Sequence, residues 1–341
     1  MWTNLGKAII TALVVIAAAE LLARTTMGRV EFAHSYDESR NPNYRRAWPA
    51  FTEPRPREPN EKLIIVISNS QGFAHELKDA DHCYTEQLEE RLNQNNPDKS
   101  VTVANWSLGG VSGPEMLLLV ARAIDHNPDM LLLITHSNPF SHHRLNNPLS
   151  FYLSDAGQFA YTQPIRNRLP GWFIRQHRVY DPATLLEAHS GLIQCRSTFI
   201  EQRHRRWHIA SAAERPRRGK PKLYHAPEVR DSGDKMLRAC VDVFRDVRPD
   251  SPVLLVNMPL CQPKWTEQAW PRLQSFGERM DAIAQKTQGV TAIDATEAIE
   301  YDLFLTHTHL SAQGHAQFAD YLLPIVEQQL DFISNPAAQQ P

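Results

Sequence analysis

Several short apolar runs in this chain do not alternate with polar residues, and each stops at small polar residues. The clearest are 63–67, 130–134 and 253–256. A strand with one exposed face alternates in polarity, whereas a strand covered on both faces is apolar throughout. With two weaker runs, the sequence predicts five strands of a parallel sheet at 63–68, 101–106, 130–135, 253–257 and 290–294.

Helical patterns lie between these strands. Residues 83–94 place Tyr84, Leu88 and Leu92 at helical spacing. Other helices are predicted at 114–126, 234–247, 266–286 and 311–331. Alternating strands and helices imply right-handed crossovers, so the sequence predicts an α/β fold with three layers, α/β/α.

The interval 140–232 is too long for a simple crossover between the third and fourth strands. We interpret it as an insertion, a candidate lid beside the active site. The predicted catalytic domain covers residues 61–335 and includes this insertion.

The N-terminal 24 residues form a separate unit. Lys7 precedes an apolar stretch over 8–19, a pattern typical of a secretory signal. The stretch can also be extended to Arg24, which would give a marginal membrane anchor. We therefore predict a signal peptide or membrane anchor over 1–24, then a polar, proline-containing linker over 25–60. The catalytic domain is expected outside the cytoplasm, in the periplasm or secreted; a buried N-terminal helix is the alternative.

The composition of the chain excludes few classes of protein. The hydrophobic fraction of 42% supports a sizeable core, and the net charge of -2 gives no argument for a nucleic-acid partner. The four cysteines have no CxxC spacing. A Cys195–Cys240 or Cys240–Cys261 disulfide and four buried thiols both stay open.

Four residues suited to acyl transfer occur in positions where the predicted strands would bring them together. Ser70 follows the first strand, Gly110 the second and Asn138 the third, while His309 lies near the C-terminus. Open α/β sheets bind ligands at the carboxyl ends of their strands. A serine nucleophile, a histidine base and donors for an oxyanion are the parts that acyl transfer requires.

These residues lie in four segments that resemble, in order, the conserved blocks of the SGNH (GDSL-like) hydrolase family. The segments are Ser68–Gln71, Asn105–Gly110, Pro128–Asn138 and His309–His315. The resemblance covers 62–331 without the insertion and implies a flavodoxin-like core. It also implies that Ser70 is the nucleophile, that Gly110 and Asn138 donate to the oxyanion, and that His309 is the general base.

The chain departs from the family pattern at three positions. Ser68 and His136 stand where the family has glycine, and Thr306 stands where it has the aspartate that orients the histidine. Asp302 is our candidate for the missing acid. Asp294, or a backbone carbonyl that would leave a Ser–His dyad, is the alternative.

The resemblance implies a serine esterase or O-acyltransferase that needs no cofactor and no metal. Exported members often act on O-acetyl groups of envelope or extracellular polysaccharides, so the expected substrate is an acylated carbohydrate or another ester. One alternative is a catalytically weak or inactive protein that binds polysaccharide or helps to assemble it. A metal site built from His307, His309 and the pair at 142–143 is a weaker alternative.

Overall fold

The computed structural model describes residues 2–26, 57–58, 60–74, 77, 82–107, 109–141, 167–176 and 223–331. All five predicted strands are present and form one parallel sheet in the order β2-β1-β3-β4-β5, which is the flavodoxin-like order. Their bounds are β1 Glu61–Ser68, β2 Ser100–Asn105, β3 Met130–Thr135, β4 Val253–Asn257 and β5 Val290–Asp294.

The long helices around the sheet are also those that the sequence predicts, and α1 and three short helices add to them. In chain order they are α1 Trp2–Thr26, α2 Ser70–Phe73, α3 Tyr84–Asn95, α4 Gly113–Ala123, α5 Ser137–Ser141, α6 Gly171–Gln176, α7 Asp231–Val247, α8 Ala269–Ala284 and α9 Ala312–Gln329.

The sheet separates two hydrophobic clusters, one on each face. On β1, Ile65 and Ile67 point into the cluster that contains α4 and α7 residues. Ile64 and Val66 point into the other cluster, with α3 and α9. All four side chains are fully buried, and burying such a side chain stabilises the fold by roughly 1.5–3 kcal/mol. The three-layer α/β/α prediction is therefore confirmed, and the absence of alternation reflects burial on both faces.

Strand order also determines where a site can form. β1 is an interior strand, with β2 on one side and β3 on the other. The chain thus crosses over in opposite directions from neighbouring strands, which opens a crevice at their carboxyl ends. Ser70 directly follows β1 and Asn138 closely follows β3, so both lie beside this switch point.

Only part of the predicted insertion lies within the described residues. In α6, Phe173 is fully buried and packs into the cluster that contains α4 and α7. The Lys235 ammonium lies 4.4 Å from the centroid of the neighbouring Trp172 ring. Most of 140–232 and of the predicted linker 25–60 lies outside the described residues, so these domain boundaries stay predictions.

The N-terminal helix α1 exposes its side chains from 7 to 18, which does not match the alternative of a buried helix. Within the described parts of the chain, we find no helix with both the length and the apolar character to cross a membrane. Export stays a prediction.

The cysteines that the structure describes, Cys83, Cys240 and Cys261, are buried and form no disulfide with one another. A Cys240–Cys261 disulfide is therefore not formed, and Cys195 lies outside the described residues.

Candidate active site

The candidate nucleophile lies in a sharp strand-to-helix turn. Asn69 has extended backbone angles and caps α2, with its Oδ1 accepting from the Gln71 N–H at 3.0 Å. Its Nδ2 donates to Met258 Sδ at 3.0 Å. Both contacts hold the turn, so that Ser70 begins α2 with a partly exposed hydroxyl while Asn69 is buried.

Gly72 allows this turn to pack closely on its neighbours. A Cβ atom there would lie 2.3 Å from Ser107 Oγ and 2.7 Å from the Tyr84 hydroxyl. Both distances are far below van der Waals contact, so the glycine is required by close approach.

His309 lies beside Ser70, with 2.8 Å between its Nε2 and Ser70 Oγ. It belongs to a segment that we call the base loop, residues 304–310, between a 3-10 turn and α9. The Leu305 N–H donates to the His309 carbonyl at 2.8 Å, and the His309 N–H donates to Thr306 Oγ1 at 3.0 Å. The loop is thus closed on itself and presents the imidazole to Ser70.

Gly110 and Asn138 line one cavity together with Ser70. Its volume is about 220 Å³, and the full lining is Asn69, Ser70, Gly110, Val111, His136, Asn138 and Pro139. Gly110 has φ of 68°, a backbone conformation that favours glycine. Asn138 lies in α5 and is exposed. The residues that the sequence predicts as the nucleophile and the oxyanion donors therefore line the same cavity.

His136 occupies the position where the family has glycine, and it lines the same cavity. Its Nδ1 accepts the Asn138 N–H at 3.3 Å, which places the proton of the neutral ring on Nε2. Burial, and secondarily the nearby His307 and His309, lowers the pKa of His136 to about 3. His136 is therefore a neutral side chain that holds the start of α5.

The predicted orienting acid is not in contact with the base. Asp302 lies exposed in the 3-10 turn Tyr301–Leu303, and its carboxylate makes none of the hydrogen bonds or ion pairs found among the described residues. The Asp294 carboxylate accepts instead from Asn257 Nδ2 at 3.2 Å and from the Thr296 N–H at 3.1 Å. Neither acid is positioned to orient His309.

Thr306, at the family's aspartate position, acts on the backbone. Its Oγ1 accepts from the N–H groups of Thr308 and His309, at 3.4 and 3.0 Å. The hydroxyl therefore fixes the turn that carries the imidazole. Lys264 adds a second restraint, because its ammonium donates to the carbonyls of Phe304 and Thr306 at 3.3 and 3.1 Å.

The His307 side chain lies in an aromatic cluster with Tyr224 and Trp265. Its ring stacks on Tyr224, with 3.4 Å between ring centroids, and meets Trp265 edge-on at 4.9 Å. Burial lowers the pKa of His307 to about 4, with His309 and Lys264 as further causes. Across the described residues, no three His, Cys, Asp or Glu side chains are grouped to hold a metal ion, and residues 142–143 lie outside that part of the chain.

Two residues that contact the base loop, Gln71 and Tyr224, were given no role from the sequence. The Gln71 side chain contacts the base loop from the nucleophile's own turn. Tyr224 anchors the end of the insertion on the same loop. The signal available in the sequence was the position of Gln71. It is a long polar side chain that directly follows Ser70, close to the end of an apolar strand.

Comparison with known proteins gives structural similarity only. No protein-family profile matches the chain, and no curated protein matches its sequence. Similar solved structures include a protein described as a GDSL-like lipase from Bacteroides ovatus ATCC 8483, at 11% identity and a TM-score of 0.43; the match covers 81% of this chain and 56% of that protein.

Two further structures match over most of their own length. One is a mutant of the acetyl-xylooligosaccharide esterase Axe2 from Geobacillus, with 13% identity, a TM-score of 0.43, and coverage of 79% of this chain and 94% of that one. The other is a member of the lipolytic G-D-S-L family from Veillonella parvula DSM 2008, with 10% identity, a TM-score of 0.41, and coverage of 77% and 97%. At these values, conclusions about activity rest on the geometry of the site.

Proposed function

We propose that this protein is a serine esterase or O-acyltransferase that works through an acyl-enzyme on Ser70. One observation carries the proposal: Ser70 Oγ and His309 Nε2 are 2.8 Å apart at a cavity that Gly110 and Asn138 also line. A nucleophile within hydrogen-bond reach of a base, facing a set of N–H donors, is the arrangement that acyl transfer requires.

In the proposed mechanism, Ser70 Oγ attacks the ester carbonyl while His309 Nε2 takes the hydroxyl proton. The resulting oxyanion accepts hydrogen bonds from the N–H groups of Ser70 and Gly110 and from Asn138 Nδ2. The tetrahedral intermediate collapses, and His309 returns the proton to the departing alcohol. Water or a second hydroxyl then attacks the acyl-enzyme by the same steps, which gives hydrolysis or transfer.

The base operates in this proposal as part of a Ser–His dyad. The contacts of Thr306 and Lys264 with the base loop hold its backbone, and thereby the ring, while Asp302 and Asp294 make no hydrogen bond to His309 among the described residues. A carboxylate also stabilises the imidazolium that forms, and its removal from a triad lowers turnover by several orders of magnitude. This departure favours a second candidate function, that of a catalytically weak or inactive protein that binds polysaccharide or helps to assemble it.

For the substrate we propose a short-chain ester, with O-acetyl groups on an envelope or extracellular polysaccharide as the specific class. The cavity of about 220 Å³ is smaller than the ~300–1,000 Å³ of pockets that enclose drug-sized ligands, which supports a small acyl group. Asn138 is exposed at the rim, so a bulky alcohol can lie outside the cavity. The export pattern in the N-terminal sequence supports a location where such polymers occur.

The test of catalysis is covalent labelling by a fluorophosphonate, which reacts with activated serines. We expect the purified protein to be labelled at Ser70 and both Ser70→Ala and His309→Ala to lose labelling. Ser100→Ala is the matched control, because Ser100 is exposed at the opposite end of β2. Absence of Ser70-dependent labelling, in protein shown to be folded, would leave the non-catalytic candidate.

Product analysis separates hydrolase from transferase. The enzyme is given 4-nitrophenyl acetate labelled in the acetyl group, with and without an oligosaccharide acceptor. Labelled acetate alone indicates hydrolysis, and label on the saccharide indicates transfer. Ser70→Ala serves as the blank in both arms.

A further inference from the structure

Gln71 is a fully buried polar residue that connects the candidate nucleophile to the base loop. Its Nε2 donates to the Thr308 carbonyl at 2.6 Å and to the Pro259 carbonyl at 3.1 Å. Gln71 directly follows Ser70, and Thr308 directly precedes His309. One side chain thus spans from the serine's turn to the residue next to its base.

The two acceptors belong to segments that are themselves joined. Past Pro259, the Cys261 N–H donates to the His307 carbonyl at 3.0 Å. On the N-terminal side of Pro259, Met258 Sδ accepts a hydrogen bond from Asn69 Nδ2. The residues on both sides of Ser70 therefore reach the segment 258–261, and Cys261 of that segment contacts the base loop.

Within the described part of the chain, the other end of the Gln71 amide makes no compensating hydrogen bond. Its Oε1 is buried and finds no hydrogen-bond partner among the described residues. A buried acceptor without a partner destabilises the fold, and such a group in a native structure calls for a functional explanation. A hydrophobic side chain would avoid that cost but would lose both N–H contacts, so the donor end explains why an amide is used.

We propose that Gln71 is the positioning residue that sets the distance between Ser70 Oγ and His309 Nε2. It restrains the base loop from the side of Ser70, in a site where, among the described residues, neither Asp302 nor Asp294 hydrogen-bonds to His309. The proposal rests on the proposed function for its catalytic consequence. Its structural part, restraint of the base loop by Gln71, stands independently.

The kinetic test is a double-mutant cycle on the rate of fluorophosphonate labelling. Gln71→Met keeps length and removes both donors, so labelling should slow by about 10- to 100-fold, the range expected for a misplaced base. In a His309→Ala background supplied with imidazole, the same change should slow labelling by less than about twofold, because no tethered base is left to position. Equal losses in the two backgrounds would show that Gln71 acts elsewhere and would overturn the proposal.

Asn93→Leu is the matched control for loss of a structural side-chain amide. Asn93 also binds backbone, donating to the Val101 carbonyl at 2.8 Å and accepting its N–H at 2.9 Å, but in a part of the fold that contributes nothing to the cavity. Labelling should stay within about twofold of wild type. A loss as large as that of Gln71→Met would indicate a general effect on folding and would overturn the assignment.

Hydrogen exchange tests the restraint itself, whatever the protein catalyses. The amides of Leu305 and His309 make hydrogen bonds inside the base loop and should exchange at least about tenfold faster in Gln71→Met, but not in Asn93→Leu. If wild type shows no Ser70 labelling while this difference persists, the proposed function fails and the positioning role stands. Unchanged exchange in Gln71→Met would refute that role even in an active enzyme.

Discussion

The buried neutral His136 makes the stability of this protein sensitive to mild acid. The residue is 7% exposed, its Nδ1 accepts the Asn138 N–H, and burial lowers its pKa to about 3. In the unfolded chain the same imidazole titrates near its ordinary pKa of about 6.5. Between these values the unfolded state binds a proton that the folded state does not, so stability is lost as pH falls below about 6.5.

The size of the effect follows from the two pKa values. Above pH 7 the contribution is close to zero, and below pH 6 it approaches about 1.4 kcal/mol per pH unit. Between pH 7 and pH 5 the protonation of this one residue should therefore remove about 2 kcal/mol from the free energy of unfolding. That is a large share of the roughly 5–15 kcal/mol that stabilises a typical domain.

The assay is urea unfolding, followed by circular dichroism, of wild type and His136→Asn at pH 7, 6 and 5. The asparagine Oδ1 can replace Nδ1 as acceptor for the Asn138 N–H but does not titrate. Wild type should lose about 2 kcal/mol more than the variant between pH 7 and pH 5. His307 and its own lowered pKa are present in both proteins, so that contribution cancels.

A difference between wild type and His136→Asn that stays constant from pH 7 to pH 5 would refute the reasoning. It would mean that His136 takes up a proton in the folded state, and so is neither as buried nor as fixed by Asn138 as the structure indicates. A wild type that loses less stability than His136→Asn as pH falls from 7 to 5 would contradict the sign of the linkage.

Three substitutions test the base loop and the nucleophile turn. Asp302→Asn should change the rate of fluorophosphonate labelling by less than about twofold, because this exposed carboxylate makes no contact with His309; a tenfold loss would restore it as the orienting acid. Thr306→Val should destabilise the protein by about 1 kcal/mol in urea unfolding and slow labelling, while Thr306→Ser, which keeps the hydroxyl, should resemble wild type. Gly72→Ala brings a Cβ to 2.3 Å from a neighbouring hydroxyl and should cost about 1–3 kcal/mol, whereas Gly171→Ala, whose Cβ comes no closer than 3.5 Å to a side chain, should not; equal midpoints for the two would contradict the packing argument.

The sheet could be predicted because its signal is local. The runs at 63–67, 130–134 and 253–256 are apolar throughout, since alternate residues enter different hydrophobic clusters. The order of the candidate residues was equally informative, because the carboxyl ends of parallel strands converge. Ser70 and Asn138 needed only correct placement of their strands to be brought to one cavity.

The contacts that orient the base could not be predicted in the same way. Asp302 was proposed from its proximity in sequence to His309, but a 3-10 turn carries it to the surface. The contact between Gln71 and the Thr308 carbonyl joins residues 237 positions apart, and nothing in either local sequence indicates it. Such contacts depend on how two loops approach each other, which follows from the packing of the entire sheet.

In the mechanism that we propose, the pairing of Ser70 with His309 determines when the serine becomes reactive. The two residues lie 239 positions apart, and the base loop follows the last strand of the sheet. During synthesis the serine emerges early and stays an ordinary hydroxyl until β5 has docked and the C-terminal segment has folded back. Reactivity is thus a late event of assembly, so a labelled serine reports a completed sheet, and an incomplete or misfolded chain carries no activated nucleophile.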